Sequence, residues 1–530
     1  MYLSYLSIFF MMAISFMGCS SKISEMKEHK NISVTQCPTG KVPLLRYLNK
    51  TDKKLGKNSA FYSLNLPSDA FAARLFLIDN AKTSLNVQYY IYDEDTIGKV
   101  FLDHLFKAAQ RGVKIRILLD DFKTTGKDKQ LIKVALHPNV ELRIFNPNKV
   151  RKLFRYITLA FNSSTLGKRM HNKSLIADGT AAIIGGRNIG DVYFSTQDGT
   201  LFLDYDILCI GNVVPKISKS FDTFWNSKEA VDASKVVDVI DIKNKNYKNK
   251  FITVLNQATK QFSKSCLGKG VINSDFMRKV KEHKLILTVV KNANFYYDSP
   301  NKVNTNKNDD STHISTQLAK HLKKVKSTLL IISPYFVPNE KVITQLKYLR
   351  QQDVNITIVT NSLASTDVSL VYAGYKKFIK ALLDIGVNLY ELKPNSFKKL
   401  LQHKEIKKLP KISLHTKMIL MDKGRLAVGS ANMDPRSDKL NTELFLVIHS
   451  HKLTKQQENI VTKVLNLKNC YKLSWGKYPK EPEDDIITYG LRWHTLENGK
   501  EKIYYHVPKV GLFKALGVDL VSLLPIDGLL

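Results

Sequence analysis

The chain has 530 residues, more than one hydrophobic core usually organises, and 44% of them are apolar; this points to two domains and excludes a wholly disordered protein. Lys and Arg outnumber Asp and Glu by 81 to 47, a formal net charge of +34, so an anionic partner is expected, either a lipid surface or nucleic acid. The lysines are scattered over polar segments such as 243–250, which suits a surface better than a base-reading groove. None of the five cysteines (Cys19, Cys37, Cys209, Cys266, Cys470) forms a CxxC pair, so there is no zinc or redox signature and no metal or other cofactor is expected.

The first element is an apolar run over 1–17 that ends Phe16-Met17-Gly18-Cys19-Ser20-Ser21. It is short for a spanning helix and reads as an export signal. Gly18-Cys19 followed by Ser-Ser-Lys resembles a bacterial lipobox, in which Cys19 is lipidated after cleavage; an uncleaved anchor is the alternative. No basic residue precedes the run, and Phe16 stands where Leu is usual. The expected location is the bacterial cell membrane or envelope, with a lipid anchor. No other stretch approaches 18 uninterrupted apolar residues, which excludes a polytopic protein.

Beyond a linker over 20–60, two series of elements repeat. Helical patterns over 69–83 and 316–326 precede buried strands over 84–92 and 327–337. Further helices follow over 99–111 and 340–350, then strands over 113–121 and 354–362. Alternating strands and helices imply parallel sheets covered by helices. The copies are offset by 243 residues at the first strand and 241 at the second, so a whole domain is duplicated. A linker or insert is expected over 226–310, with a surface loop over 301–310.

The same repeat carries the chemistry. His171, Lys173, Asp178, Gly185 and Asn188 recur as His415, Lys417, Asp422, Gly429 and Asn432, at identical offsets from each His. The two copies are 244 residues apart, matching the flanking strands. Period-two alternation puts His and Lys on one face of a strand. A turn at 178–179 or 422–424 then returns Asn toward the His. Lys is a point-charge phosphate binder, and imidazole serves as nucleophile or general acid near neutral pH. The candidate catalytic set is therefore His171, Lys173, Asp178, His415, Lys417 and Asp422, with the two Asp fixing the hairpins. Asn188, Asn432 and Ser430 are candidate phosphate donors. Each His needs an acceptor on its second ring nitrogen. Glu443 and Asp206 are the candidates, each opening an apolar strand after its motif, with Asp204 a close competitor.

At these residues, over roughly 61–530, the sequence resembles the phospholipase D superfamily, whose hallmark is a pair of HKD motifs. The resemblance implies an α/β fold of two duplicated α/β/α sandwich domains with pseudo-twofold symmetry and the active site on their axis. It also implies a phosphohistidine intermediate, with His171 as nucleophile and His415 as general acid and base; the near-symmetry of the motifs leaves the reverse open. The stretches at 333–338 (SPYFVP), 429–437 (GSANMDPRS), 440–443 (LNTE) and 523–530 (LLPIDGLL) are similar to bacterial cardiolipin synthases of the C type. That similarity implies transfer of a phosphatidyl group from one phospholipid to phosphatidylglycerol at an anionic membrane, with no specific nucleic acid. A phospholipase D hydrolase releasing phosphatidic acid shares the same motifs, as do phosphodiesterases acting on nucleic acid. Two departures stand out: Gly186 occupies the place of Ser430, and the first half's acid is Asp rather than Glu.

The expected division is 1–19 signal, 20–60 linker, 61–225 first domain, 226–310 insert, 311–465 second domain and 466–530 extension. In the last, 510–530 is apolar with few charges and is interrupted by Pro525, so it either rests on a bilayer or packs as a terminal helix.

Overall fold

Strand segments with β-branched cores, separated by turn residues and capped helices, assemble in the computed structural model into two large sheets. The structure describes residues 55–124, 133–135, 137–148, 167–194, 200–236, 245–304, 313–396, 411–479 and 489–524. The expected signal and Cys19 lie outside these residues, as do most of the 20–60 linker and residues 525–530. The described residues belong to a single compact unit.

The first half contributes β1 (Ser59–Leu64), β2 (Ser84–Tyr89), β3 (Lys114–Asp120), β4 (Val140–Phe145), β5 (Ser174–Ala177), β6 (Ala181–Gly185), β7 (Thr200–Leu203), β8 (Asp206–Gly211), β9 (Ala230–Asp232) and β10 (Thr288–Val290). The second contributes β11 (Ala293–Tyr297), β12 (Thr328–Ile332), β13 (Asn355–Asn361), β14 (Asn388–Leu392), β15 (Lys411–Leu414), β16 (Met418–Met421), β17 (Arg425–Gly429), β18 (Leu444–His449), β19 (Cys470–Lys477), β20 (Tyr489–Glu497) and β21 (Lys500–Tyr504). The first sheet runs β10-β1-β8-β6-β5-β2-β3-β4-β9, and the second β11-β18-β17-β16-β12-β13-β14-β19-β20-β21. Their central orders, β8-β6-β5-β2-β3-β4 and β18-β17-β16-β12-β13-β14, coincide, as a duplication requires.

Both sheets are mixed rather than parallel. β2, β3 and β4 run parallel, as do β12, β13 and β14, but β5 is antiparallel to β2 and β6, and β16 to β12 and β17. The cause is the motif itself, because a tight turn joins only antiparallel strands. At that turn Asp178 and Gly179 both have positive φ (52° and 61°), as do Asp422 and Lys423 (52° and 57°), the geometry that matches strand twist.

Residues 226–310 are more than a linker. β9 closes the first sheet against β4, β10 pairs with β1, and β11 pairs with β18 of the second sheet. The helix Lys245–Lys264 packs on the helix Thr96–Gln110. The expected extension at 466–530 is also part of the second sheet through β19, β20 and β21. β2 stops at Tyr89, short of the expected 92, because the chain leaves the sheet to bond the segment after the first motif: Asp93 N donates to Ile189 O and Ile189 N to Ile91 O.

Three apolar clusters hold the layers. One lies under the outer helices of the first half and another under those of the second. The third is shared: Ile176, Ile184 and Ile207 of the first sheet pack with Ile332, Val428 and Leu446 of the second and with Leu414 of β15, and the helices Val214–Trp225 and His451–Val464 complete it.

Candidate active site

The site forms where two short segments cross between the halves. β15 pairs in parallel with β7, Leu414 opposite Leu203, as a separate two-stranded ladder. Its pseudosymmetric counterpart is a parallel bridge between Met170 and Thr442. In each case the next residue on one segment is a motif His and the next on the other is an acid. His415 N donates to Leu203 O (2.7 Å) and His171 N to Thr442 O (2.9 Å).

The outcome is a pair of crossed dyads. His171 Nδ1 lies 2.9 Å from both carboxylate oxygens of Glu443, and His415 Nδ1 lies 2.5 Å from Asp204 Oδ2. Each half supplies the acid for the other half's histidine. Acceptance of the Nδ1 proton by the carboxylate leaves Nε2 as the reactive nitrogen. Glu443 is further fixed by Ser430 Oγ (2.5 Å) and Ser437 Oγ (2.8 Å), which donate to its two oxygens. Asp298 holds its backbone, accepting from Glu443 N (2.9 Å).

Lys173 and Lys417 stand beside the rings, and each ammonium donates to the carbonyl of its own motif His, at 2.5 and 2.6 Å. All four motif side chains are buried. Burial holds His171 down at about 4, with Glu443 drawing it up and Lys173 pressing it further down. Burial also brings Lys173 down to about 7, with Glu443 opposing and Lys417 adding to the fall. His415 is depressed by burial and then by Lys417, whose Nζ comes within 3.1 Å of its Nδ1. Each half's groups act on the other's: Lys417 on His171, and Lys173 and His171 on His415. They therefore make one electrostatic cluster. The acids differ. Burial raises Asp204, with Lys417 and Arg187 pulling back. Burial also pushes Glu443 up, but His171, Lys173 and Ser430 outweigh it and hold the carboxyl below its ordinary range.

Asp206 does not orient a histidine. As the first residue of β8 it is fixed inside the sheet, where Arg74 (2.9 Å) and Arg187 (3.1 Å) both donate to its Oδ2. Asp204 takes the orienting position because it directly follows the β7 rung opposite Leu414. Ser430 is likewise displaced from the expected phosphate role, since its one hydroxyl proton goes to Glu443. Asp178 and Asp422 lie at the far ends of β5 and β16, away from the rings. Asp178 accepts from Lys82 N, Thr83 N, Thr83 Oγ1 and Ser84 N. Asp422 accepts from Lys326 N, Ser327 N and Arg425. Both pin the hairpin to the start of the neighbouring strand and touch no motif His.

Asn188 accepts from Ile91 N and donates to Tyr193 OH (2.7 Å), whose ring stands edge-on to His415. Asn432 donates its backbone N–H to Ser437, while its buried side-chain oxygen has no partner among the described residues. Sequence reasoning passed over the aromatic wall. Tyr90 stands edge-on to His171 (4.9 Å between centroids) and under Lys173, and Phe202 and Tyr335 flank His415. It also passed over Ser437 and Asp298. Ser437 lies in the 429–437 stretch; Asp298 follows β11 and carries no sequence signal. Among the described residues no group of three or more His, Cys, Asp or Glu is arranged to hold a metal ion.

The family described as cardiolipin synthase, PLD-like domain, matches residues 75–225 and 318–465, one block around each motif. The chain is 34% identical to cardiolipin synthase C of Escherichia coli (strain K12) over 471 residues, covering 88% of this chain and 96% of that protein. It is 32% identical to an uncharacterized protein of Helicobacter pylori (strain ATCC 700392 / 26695), covering 84% and 85%. Among solved structures it resembles phosphatidylserine synthase of Haemophilus influenzae Rd KW20, with TM-score 0.53, 14% identity and coverage of 80% and 92%, a likeness of fold. The two matched blocks together span more than half of the sequence, each with its His, Lys and Asp in place, and so the chain belongs to the cardiolipin synthase family of PLD-like domain proteins.

Proposed function

We propose that this protein is a phosphatidyltransferase that makes cardiolipin from phosphatidylglycerol and a second phospholipid. The observation that carries this reading is the pair of crossed His–acid dyads with two buried lysines, in a chain alike over nearly its whole length to cardiolipin synthase C. His171 Nε2 attacks phosphorus of the donor lipid. A P–N bond forms, the P–O bond to the leaving alkoxide breaks, and His415 gives that alkoxide a proton. His415 then takes the proton of a phosphatidylglycerol hydroxyl, whose oxygen attacks phosphorus and releases His171. The low-lying Glu443 favours His171 as the nucleophile, because its carboxylate stabilises the positive charge that N-phosphorylation places on the ring. Lys173 and Lys417 meet the phosphoryl oxygens as cations, and the amide of Asn432 adds a donor.

The protein acts at the bacterial envelope, anchored by a lipid on Cys19; mass spectrometry of the mature N-terminal peptide tests the anchor. Expression in cells that lack cardiolipin tests the activity. Cardiolipin should appear with the intact protein and be absent with His171→Ala or His415→Ala. Phosphatidic acid without cardiolipin would assign the hydrolase instead, and cleavage of DNA without any lipid product would reject both.

A further inference from the structure

The C-terminal helix Leu512–Ser522 buries one residue, Val518. Leu512, Phe513, Leu520 and Leu523 are exposed to 70, 90, 68 and 82%, and Leu516 and Leu524 are exposed as well. At 3.6 residues per turn these six side chains fall within an arc of about 120°. No charged residue shares that arc: by the same spacing Lys514 and Asp519 lie outside it, and Val518 points the opposite way. A bare stripe of this kind on the outward face of a helix is a docking surface.

Its surroundings identify the partner. Lys376 pairs with Asp519, Lys377 donates to Leu524 O (2.7 Å), and Lys514 lies on the same helix. Apolar side chains rimmed by lysines complement the acyl and headgroup zones of an anionic bilayer. A second copy fits poorly, because stripe-to-stripe docking would bring the lysine rims together.

The helix that carries the stripe also bonds a segment beside the His415 half of the site. Lys514 donates to Leu363 O (3.5 Å), just beyond β13. In that segment Asn361 brackets Leu414, accepting from its N and donating to its O (both 2.9 Å), and Leu414 precedes His415. Asp367 accepts from Tyr335 OH (2.7 Å), whose ring faces His415. We infer that the 512–524 stripe lies in the headgroup region of an anionic phospholipid bilayer and sets the His415 side of the site toward the membrane surface. This deepens the phosphatidyl-transfer reading and rests on it for the choice of substrate, though the docking itself is read without activity.

The test uses the full chain, in native and Cys19→Ser forms, so that lipidation does not mask the helix. With Phe513→Glu and Leu520→Glu together, sedimentation with phosphatidylglycerol vesicles should weaken by about tenfold or more in the Cys19→Ser form. KM should rise on vesicles, while kcat and KM on a monomeric short-chain phosphatidylglycerol stay unchanged. A gentler variant, Phe513→Trp, should shift its emission to the blue on adding the same vesicles, and less with phosphatidylcholine vesicles. Unchanged sedimentation, or no emission shift, would overturn the inference. So would a change in oligomeric state by light scattering with vesicle binding intact, which would give the stripe to a second copy. An inactive protein that still docks would reject the transferase reading and leave this one standing.

Discussion

A Cβ on Gly186 would lie 2.2 Å from Asp204 Oδ1, and this contact accounts for the difference between the two motif copies. Where the acid is the longer Glu443, Ser430 has room and donates to it. Where the acid is Asp204, one methylene shorter, its carboxylate fills that room. Gly186→Ser is therefore expected to displace Asp204 from His415 and lower kcat by about 100-fold or more. Ser430→Ala removes one hydrogen bond to a charged acceptor, worth about 1.5–3 kcal/mol, and should cost less activity. Steady-state rates on the two variants decide the order, and a larger loss at Ser430 would refute the packing account.

The crossed dyads predict which step each acid serves. Glu443→Gln leaves His171 without its anion and should slow phosphoenzyme formation by up to about 10⁴-fold. Asp204→Asn impairs the partner of His415 and should slow resolution of the intermediate as well as its formation. Rapid acid- or base-quench with a labelled donor lipid measures both steps. Phosphohistidine found on His415 instead of His171 would reverse the assignment.

Lys173 sits at about 7 in the free site, far below an ordinary lysine, because it is buried. A bound anion favours its charged form, so binding should take up protons. Titrating inorganic phosphate or vanadate near pH 7.5 in buffers of different ionisation heat should show uptake, and Lys173→Met should reduce it. Proton release on binding would contradict the lowered lysine.

The histidine shift has a stability consequence. His171 titrates at about 4 in the folded site against an ordinary 6.5, so between those values the unfolded chain holds a proton that the folded one does not. Stability should fall as pH drops through that window. His171→Asn should flatten the fall in urea midpoints between pH 6.5 and 4, and an unchanged slope would show that other groups dominate.

Asp206 and Asp178 should behave as stabilising residues. Asp206→Ala strips two buried guanidinium groups of their shared partner and is expected to cost about 3–5 kcal/mol in urea unfolding. Asp178→Ala frees three backbone N–H groups and should lower stability, while KM on short-chain substrate stays unchanged.

Much of this site could be read from the sequence, because its parts are local. His, Lys and Asn recur at fixed offsets on one hairpin, and a hairpin's geometry follows from its turn. The ownership of the acids could not be read that way. Glu443 serves a histidine 272 residues earlier through a bridge whose partner strand belongs to the other half, and no periodicity reports a contact of that range. Asp204 and Asp206 look equivalent in sequence, and only the pairing of Leu203 with Leu414 distinguishes them. The insert at 226–310 meets the same limit: its three short strands pair with partners far along the chain, and contacts of that range leave no local pattern.

The four-rung ladder of β7 and β15 makes chemistry depend on strand register. One residue added to or removed from 200–203 or 411–414 would turn every following side chain to the opposite face and set His415 against Leu203 or Tyr205 in place of its acid. Such an indel would leave the sequence of both motifs intact. A relative can therefore keep a perfect HKD signature and lose the reaction through a one-residue slip of register in a strand that bears no catalytic group.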